Sequence, residues 1–223
     1  MAPINVRARE LASDASTTEH GAERLRLLRS ALAELADPGG ADDDLEARGV
    51  VLALLAEEDP SYLPEAEDAL SGARQNNVET NWISLHLVDA CYIARDYERA
   101  ITHAREVDRS YFEGQDLRWR SVKVTEILAA SLLAQGHLAE GLELANAVCA
   151  ELAAHGSDSE EWLASPAELT RLVLDMIGNP ASERAFAIGC EILTAISSSI
   201  DVSEWFSKSL ADAITDALGK CPY

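Results

Sequence analysis

The chain carries four tryptophans at nearly regular intervals, and this regularity constrains its fold more than any other feature. The spacings between them are 37, 43 and 43 residues, and each lies at or near the start of a predicted helix. The second helices of the predicted hairpins begin near residues 62, 97, 138 and 181, so a second marker follows a similar period. A repeat of 20 to 50 residues is the signature of an array of similar structural units. The four residues are Trp82, Trp119, Trp162 and Trp205.

The repeated unit is predicted to be a helical hairpin. Ala, Leu, Glu and Arg, which are strong helix formers, dominate the sequence, and the alternating Val and Ile runs typical of strands are missing. The segment Ser165-Pro166-Ala167-Glu168 has the pattern of a capping box at a helix start, and Gly136 is placed to end a helix. We predict an all-α fold of about 10–11 helices in antiparallel hairpins. The predicted helices cover residues 5–14, 18–36, 44–58, 61–74, 79–94, 97–109, 117–135, 138–155, 166–177, 181–197 and 202–218.

The whole chain, residues 1–223, is predicted to form a single domain. Its first 17 residues are left open as a mobile segment, and residues 202–218 are predicted to be a C-terminal capping helix. This last helix contains Trp205, Phe206 and Leu210. Such an apolar face can cap its own array or pair with a second chain, so a homodimer remains an alternative.

The predicted hairpin turns resemble those of the tetratricopeptide repeat (TPR) family. Residues 95–101, Arg-Asp-Tyr-Glu-Arg-Ala-Ile, resemble the family's Gly-Asp-Tyr-x-x-Ala-hydrophobic turn. Residues 136–142 resemble the same turn, with Gly141 in place of the small Ala, and Asn179-Pro180-Ala181 opens a weaker third copy. The similarity covers about residues 44–200, although steps of 41–43 residues exceed the family's 34. It implies a TPR-like α-solenoid with a concave groove that is lined by the first helix of each hairpin.

A groove of this kind is suited to an extended peptide or a partner helix. Positions transferred from the family, together with a group of basic and aromatic residues at 118–123, define the predicted contact. A planar arginine beside an aromatic ring can bind a carboxylate through two hydrogen bonds. Internal pairing of the arginines with nearby acids, and packing of the tryptophans in the hairpin cores, remain as alternatives. The predicted binding residues are Trp82, Asp89, Tyr92, Arg118, Trp119, Arg120, Lys123 and Glu126.

The net charge limits the classes of partner. With 18 basic and 39 acidic residues the chain carries a charge of −21, which opposes direct binding to nucleic acids or to anionic membranes. Seven of the 18 basic residues lie within residues 95–123, so the rest of the chain is even more acidic. No apolar run is long enough to span a membrane, and no apolar secretion signal opens the chain. The expected partner is a protein or peptide, and the expected location is the cytoplasm.

The four cysteines, Cys91, Cys149, Cys190 and Cys221, form no Cys-x-x-Cys pair. They are interpreted as small buried apolar residues in a reducing compartment, with Cys221 as an exposed thiol.

No enzyme motif is present, and we predict no catalytic residue, cofactor or metal. His86 and Asp89 can share a helix face, but the sequence shows neither a nucleophile nor a third metal ligand beside them. The leading hypothesis is a non-catalytic module that binds a protein or peptide. The alternative is an acidic inhibitor, similar to an immunity protein or antitoxin, that covers a basic partner. A third hypothesis is a metal-dependent enzyme or another enzyme on a helical scaffold, built from His86, Asp89 and neighbouring carboxylates.

Overall fold

A computed structural model describes residues 6–35, 42–114, 117–155 and 165–222. These residues form 13 α-helices and one short 3-10 helix, and they contain no strand. The all-α fold class is thereby confirmed, and the arrangement is compatible with a helical repeat. The α-helices are α1 (Val6–Thr17), α2 (Ala22–Glu34), α3 (Asp42–Glu58), α4 (Leu63–Gln75), α5 (Asn81–Ile93), α6 (Tyr97–Glu106), α7 (Arg109–Glu113), α8 (Arg118–Ala134), α9 (Leu138–His155), α10 (Ala167–Gly178), α11 (Glu183–Ser199), α12 (Val202–Trp205) and α13 (Lys208–Leu218).

The chain divides into two compact units, unit 1 (Met1–Val107) and unit 2 (Asp108–Tyr223). The prediction of one domain over the whole chain stays a prediction.

Unit 1 contains three consecutive hairpins. They pair α1 with α2, α3 with α4, and α5 with α6, and the first helices α3 and α5 also pack directly against each other. Gly49 of α3 lies under Ile83 of α5, so closely that a Cβ atom would come within 2.8 Å of Ile83 Cγ1. The missing side chain therefore lets these two helices approach. The core contains fully buried residues from several helices, among them Leu28, Leu52, Leu55, Ile83 and Leu87.

Unit 2 contains two long hairpins, α8 with α9 and α10 with α11. The hairpins stack so that α8 lies beside α10 and α9 lies beside α11, while α13 packs against both α10 and α11. At the closed end of the first hairpin, a Cβ atom on Gly141 would lie 2.6 Å from Leu133 Cγ. The sequence interpretation treated Gly141 as a substitute for a small Ala, but at this position even Ala would collide with its neighbour.

Three helices end in a residue with left-handed backbone geometry. The residues are Asn77 (φ 56°), Arg95 (φ 60°) and Gly136 (φ 81°). After α5 the turn is closed by two hydrogen bonds, in which Asp96 N–H donates to Cys91 O and Arg95 N–H donates to Tyr92 O, both at 2.9 Å. This pair of bonds is the Schellman motif, which satisfies carbonyl groups at a helix end. The same local geometry thus recurs at the ends of α4, α5 and α8.

The predicted number of helices was too low because short helices leave no periodic pattern. The second helices of the long hairpins begin at residues 63, 97, 138 and 183, within two residues of the predicted positions. No sequence pattern predicts α7. The predicted helix 202–218 is two helices, α12 and α13, separated at buried Phe206. Both α7 and α12 start with an aspartate that accepts a hydrogen bond from the N–H of a serine two residues later, Asp108 at 3.0 Å and Asp201 at 2.9 Å. Trp162 lies outside the described residues.

The interpretation of the cysteines was wrong for one pair. Cys190 on α11 and Cys221, just beyond α13, form a disulfide with a Cα–Cα distance of 5.5 Å. Cys91 and Cys149 are free and buried, as predicted. No local sequence pattern indicates the pair, because the two cysteines meet only when α13 folds back onto α11. Within the described ranges, every helix is too short or too polar to cross a bilayer.

Candidate functional site

The first helices of the three hairpins in unit 1 together line a cleft. Its volume is about 260 Å³, and its lining combines three aliphatic side chains with a guanidinium group, a carboxylate and an indole ring. Trp82, which the sequence placed in the predicted groove, is half-buried in this cleft. The lining residues are Arg9 and Ala12 from α1, Glu46, Ala47 and Val50 from α3, and Trp82 from α5.

A cluster of possible metal-ligating side chains lies further along α3 and α5, which are two of the three helices that line the cleft. One turn beyond Trp82, the ring of His86 stacks on the indole, with ring centroids 6.4 Å apart and an interplanar angle of 25°. Three possible ligand atoms, one each from His86, Asp89 and Glu57, lie within 4.8 Å of one another. As whole residues all three are half-buried, and the Glu57 side chain itself is only 7% exposed. The sequence pattern places His86 and Asp89 together without a third candidate ligand, and Glu57 of α3 is that third candidate.

Glu57 is held in place by a buried ion-pair network. Its Oε2 atom accepts a hydrogen bond from Arg24 Nη2 at 2.6 Å, and its Oε1 atom lies 3.1 Å from His86 Nδ1. Arg24 Nη1 also donates to Glu58 Oε1 at 2.8 Å, and Glu58 contacts the imidazole of His20. Burial alone would raise the pKa of Glu57, but the hydrogen bond and charge of His86 and the charge of Arg24 outweigh it, so the pKa lies below its ordinary value. The Glu57 carboxylate is therefore ionised at neutral pH.

Tyr92 lies at the far end of α5, next to the turn into α6. Its ring is tilted against that of Tyr97, with centroids 5.7 Å apart, and it also packs on the core of unit 1. The half-buried ring helps to hold the α5–α6 hairpin together.

The arginine side chains of the predicted contact in unit 2 form an ion pair and a stacking interaction within the chain. Arg118 Nη2 donates to both carboxylate oxygens of Glu151 on α9, at 2.7 and 2.9 Å. The guanidinium carbon of Arg120 lies 3.8 Å from the centroid of the Trp119 ring. The alternative of internal pairing is thus observed for Arg118.

A second cleft, of about 220 Å³, lies where α7, α8 and α9 meet in unit 2. Its lining includes both members of the Arg118–Glu151 pair, so charges of opposite sign already neutralise each other there. Its other polar lining residues are Arg109, Glu113, Ser121 and Thr125.

Glu126 and Lys123 form a buried structural connection. Glu126 is 1% exposed, and its Oε2 atom accepts a hydrogen bond from Lys123 Nζ at 2.7 Å. Its Oε1 atom accepts from the N–H groups of Glu168 and Leu169, at 2.9 and 3.0 Å, in the first turn of α10. The predicted local cap of this helix by Ser165 was wrong, because Pro166 occupies the N-cap position without a side-chain hydrogen bond. Glu126 instead accepts hydrogen bonds from the N–H groups of the first turn.

The residues missed by sequence analysis lie on helices distant in sequence from those that were found. Glu57 is 29 positions from His86, and Arg24 is 33 positions from Glu57. Helical spacing places Val50 and Glu57 on one face of α3, since they are seven residues apart. No sequence signal, however, fixes the register of α3 against α5. That register follows from the close approach at Gly49.

A comparison with protein-family models, curated proteins and solved structures finds no match to this chain.

Proposed function

We propose that the chain is a TPR-like helical repeat protein that binds an extended peptide or a partner helix and catalyses no reaction. The observation that carries this proposal is the cleft formed by the first helices of three consecutive hairpins, α1, α3 and α5. In the family that the hairpin turns resemble, these helices line the binding groove. The turn geometry at Arg95 and Gly136 supports the resemblance, because both residues adopt the left-handed conformation that the family's glycine provides.

The size and lining of the cleft favour a peptide side chain over a whole small molecule. Pockets for small ligands usually measure about 300–1,000 Å³, and this cleft measures about 260 Å³. Ala12, Ala47 and Val50 offer aliphatic surface, while Arg9 and Glu46 offer one charge of each sign. We therefore expect an apolar anchor residue, flanked by a charged residue, in the bound peptide.

The energies indicate that the cleft alone does not account for tight binding. Burial of one apolar side chain contributes about 1.5–3 kcal/mol, and a hydrogen bond to a charged group contributes about 1.5–3 kcal/mol. Micromolar affinity needs about 8 kcal/mol. Further contacts along α3 and α5 must supply the remainder, so an extended ligand fits better than a single side chain.

Unit 1 is a better place for this contact than the basic residues of unit 2. Arg118 is paired with Glu151, and Lys123 is paired with buried Glu126. A ligand carboxylate would have to displace these partners before binding. We therefore centre the proposed site on Trp82 and the residues around it.

The proposal is tested by selecting peptides from a random display library against the full-length chain. Selected peptides are then measured by titration against wild type and against Ala12→Arg, which fills the cleft without removing core volume. We expect Ala12→Arg and Trp82→Ala to weaken binding by about 10–100-fold, as loss of one anchor implies. The matched controls are Ala153→Arg, at an exposed site on α9, and Trp205→Ala, at a half-buried position in unit 2.

Binding that is unchanged in both cleft variants would contradict the proposal. A salt series separates it from the alternative of an acidic inhibitor, because contacts between exposed charges are strongly screened. Selection of only highly basic ligands, released by moderate salt and indifferent to Ala12→Arg, would favour the inhibitor.

A further inference from the structure

We infer that Glu57, His86 and Asp89 form a binding site for a divalent transition-metal ion. This site adjoins the proposed peptide cleft, because Trp82 lines that cleft and stacks on His86, but the inference does not depend on peptide binding. We assign no reaction to it. Among the residues that the structure describes, this is the group whose imidazole and carboxylate donors converge, and all three lie within 4.8 Å of one another.

The distances fit a single ion after small side-chain rotations. Zinc binds imidazole nitrogen and carboxylate oxygen at about 2.0–2.2 Å, so two ligand atoms on one ion lie at most about 4.4 Å apart. His86 Nδ1 and Glu57 Oε1 are already 3.1 Å apart. The Asp89 ligand atom lies within 4.8 Å of both, close to the limit of about 4.4 Å.

The surroundings hold two of the three ligands in position. Arg24 binds the Oε2 atom of Glu57 at 2.6 Å, which leaves Oε1 directed at His86. On its other side His86 stacks on the indole of Trp82. Groups that orient metal ligands in this way are an integral part of metal sites in proteins.

The charge around the cluster also favours a cation. The carboxylates of Glu57 and Glu58 both pair with the single guanidinium of Arg24, and the Asp89 ligand atom lies within 4.8 Å of those of Glu57 and His86. The side chains of Glu57 and Glu58 are 7% and 8% exposed, so water screens their charges weakly. When His86 is neutral, as metal binding requires, a divalent cation would offset the negative charge that Glu57 and Glu58 carry in excess of Arg24.

The donor set selects the class of metal. Imidazole suits zinc, iron, copper and nickel, and carboxylates suit harder ions such as manganese. One imidazole with two carboxylates therefore fits Zn²⁺, Co²⁺ or Mn²⁺ better than Ca²⁺, which takes six to eight oxygen ligands. Three protein ligands leave at least one coordination position for water or for a group from another molecule.

The test is a titration of the full-length chain with Co²⁺ and Zn²⁺, followed by calorimetry and by visible absorption of bound Co²⁺. We expect one saturable equivalent with cobalt absorption bands. His86→Ala and Asp89→Asn should each weaken binding at least about tenfold, since even changes outside the ligand set cost about 10–100-fold. The matched controls are His137→Ala and Asp68→Asn, which make the same changes at exposed positions and should leave binding within about twofold of wild type.

Asp89→Asn nearly preserves side-chain shape, so it keeps the test valid if His86→Ala does not fold. Circular dichroism of each variant establishes that the helices are intact. The inference is overturned if wild type shows no saturable equivalent. It is equally overturned if Asp89→Asn and Asp68→Asn bind Co²⁺ alike, which would mean that the metal is held by the general acidic surface.

Discussion

Arg95 has a left-handed backbone conformation, with φ of 60°, at the turn between α5 and α6. This conformation costs a non-glycine residue about 1–2 kcal/mol. Substitution by glycine removes that cost, but it also makes the unfolded chain more flexible, which lowers stability by about 0.4–1 kcal/mol. The side chain is exposed. Arg95→Gly is therefore expected to stabilise the protein by about 0.5–1 kcal/mol, measured as the free energy of unfolding in urea.

Arg95→Ala serves as the control for that substitution. It removes the same long side chain but retains the backbone cost, so the free energy of unfolding should stay close to that of wild type. An equal gain from both variants would show that the side chain, and not the backbone, causes the strain. The opposite change, Gly136→Ala at φ of 81°, should destabilise the turn after α8.

At the scale of elements, Glu126 of α8 connects two hairpins by capping the first turn of α10. Glu126→Ala would leave two buried N–H groups and the Lys123 ammonium without this carboxylate. Removal of one partner from a buried ion pair costs about 3–5 kcal/mol, and we expect a loss of that size in urea unfolding. Glu168→Ala, which removes a pair with Arg171 at the surface, should cost less than about 1 kcal/mol. Similar small losses in both variants would show that the cap contributes little.

The same connection shows how much could be predicted from sequence. Helical periodicity and turn residues predicted the long helices, and α6, α8 and α9 begin within a residue of the predicted positions. The cap of α10 could not be predicted, because Glu126 is 42 residues before Glu168 and acts only after the two hairpins stack. Glu57 could not be predicted as a neighbour of His86 for the same reason, because the two residues are 29 positions apart. Local signals predict where helices begin, while the partners of buried charges depend on helix register.

At the scale of the whole molecule, each unit has its own stabilising device. Unit 1 contains the buried pairing of Arg24 with Glu57 and Glu58, and unit 2 contains the Cys190–Cys221 disulfide. The two remaining cysteines, Cys91 and Cys149, are expected to be unreactive. Burial raises the pKa of the Cys91 thiol to about 12 and that of Cys149 to about 11, so both stay protonated and unreactive at neutral pH.

Reduction of the disulfide is therefore expected to loosen unit 2 selectively. The bond joins residues 31 positions apart, and closing a loop of this length stabilises a protein by about 3–4 kcal/mol. Hydrogen exchange measured by mass spectrometry, with and without reductant at the same pH, should show faster exchange in α11 and α13 after reduction. Peptides from α3 and α5 serve as the internal reference and should be unchanged.

A thiol count establishes whether the starting material carries the bond. Without reductant, the native chain should show no reactive thiol, and the unfolded chain should show two, from Cys91 and Cys149. Cys221→Ser should reproduce the exchange pattern of the reduced protein, since it removes the bond without any reagent. If instead reduction and Cys221→Ser leave α11 and α13 fully protected, then the packing of α13 on α10 and α11 suffices to hold the end of the chain, and the disulfide is not what stabilises unit 2.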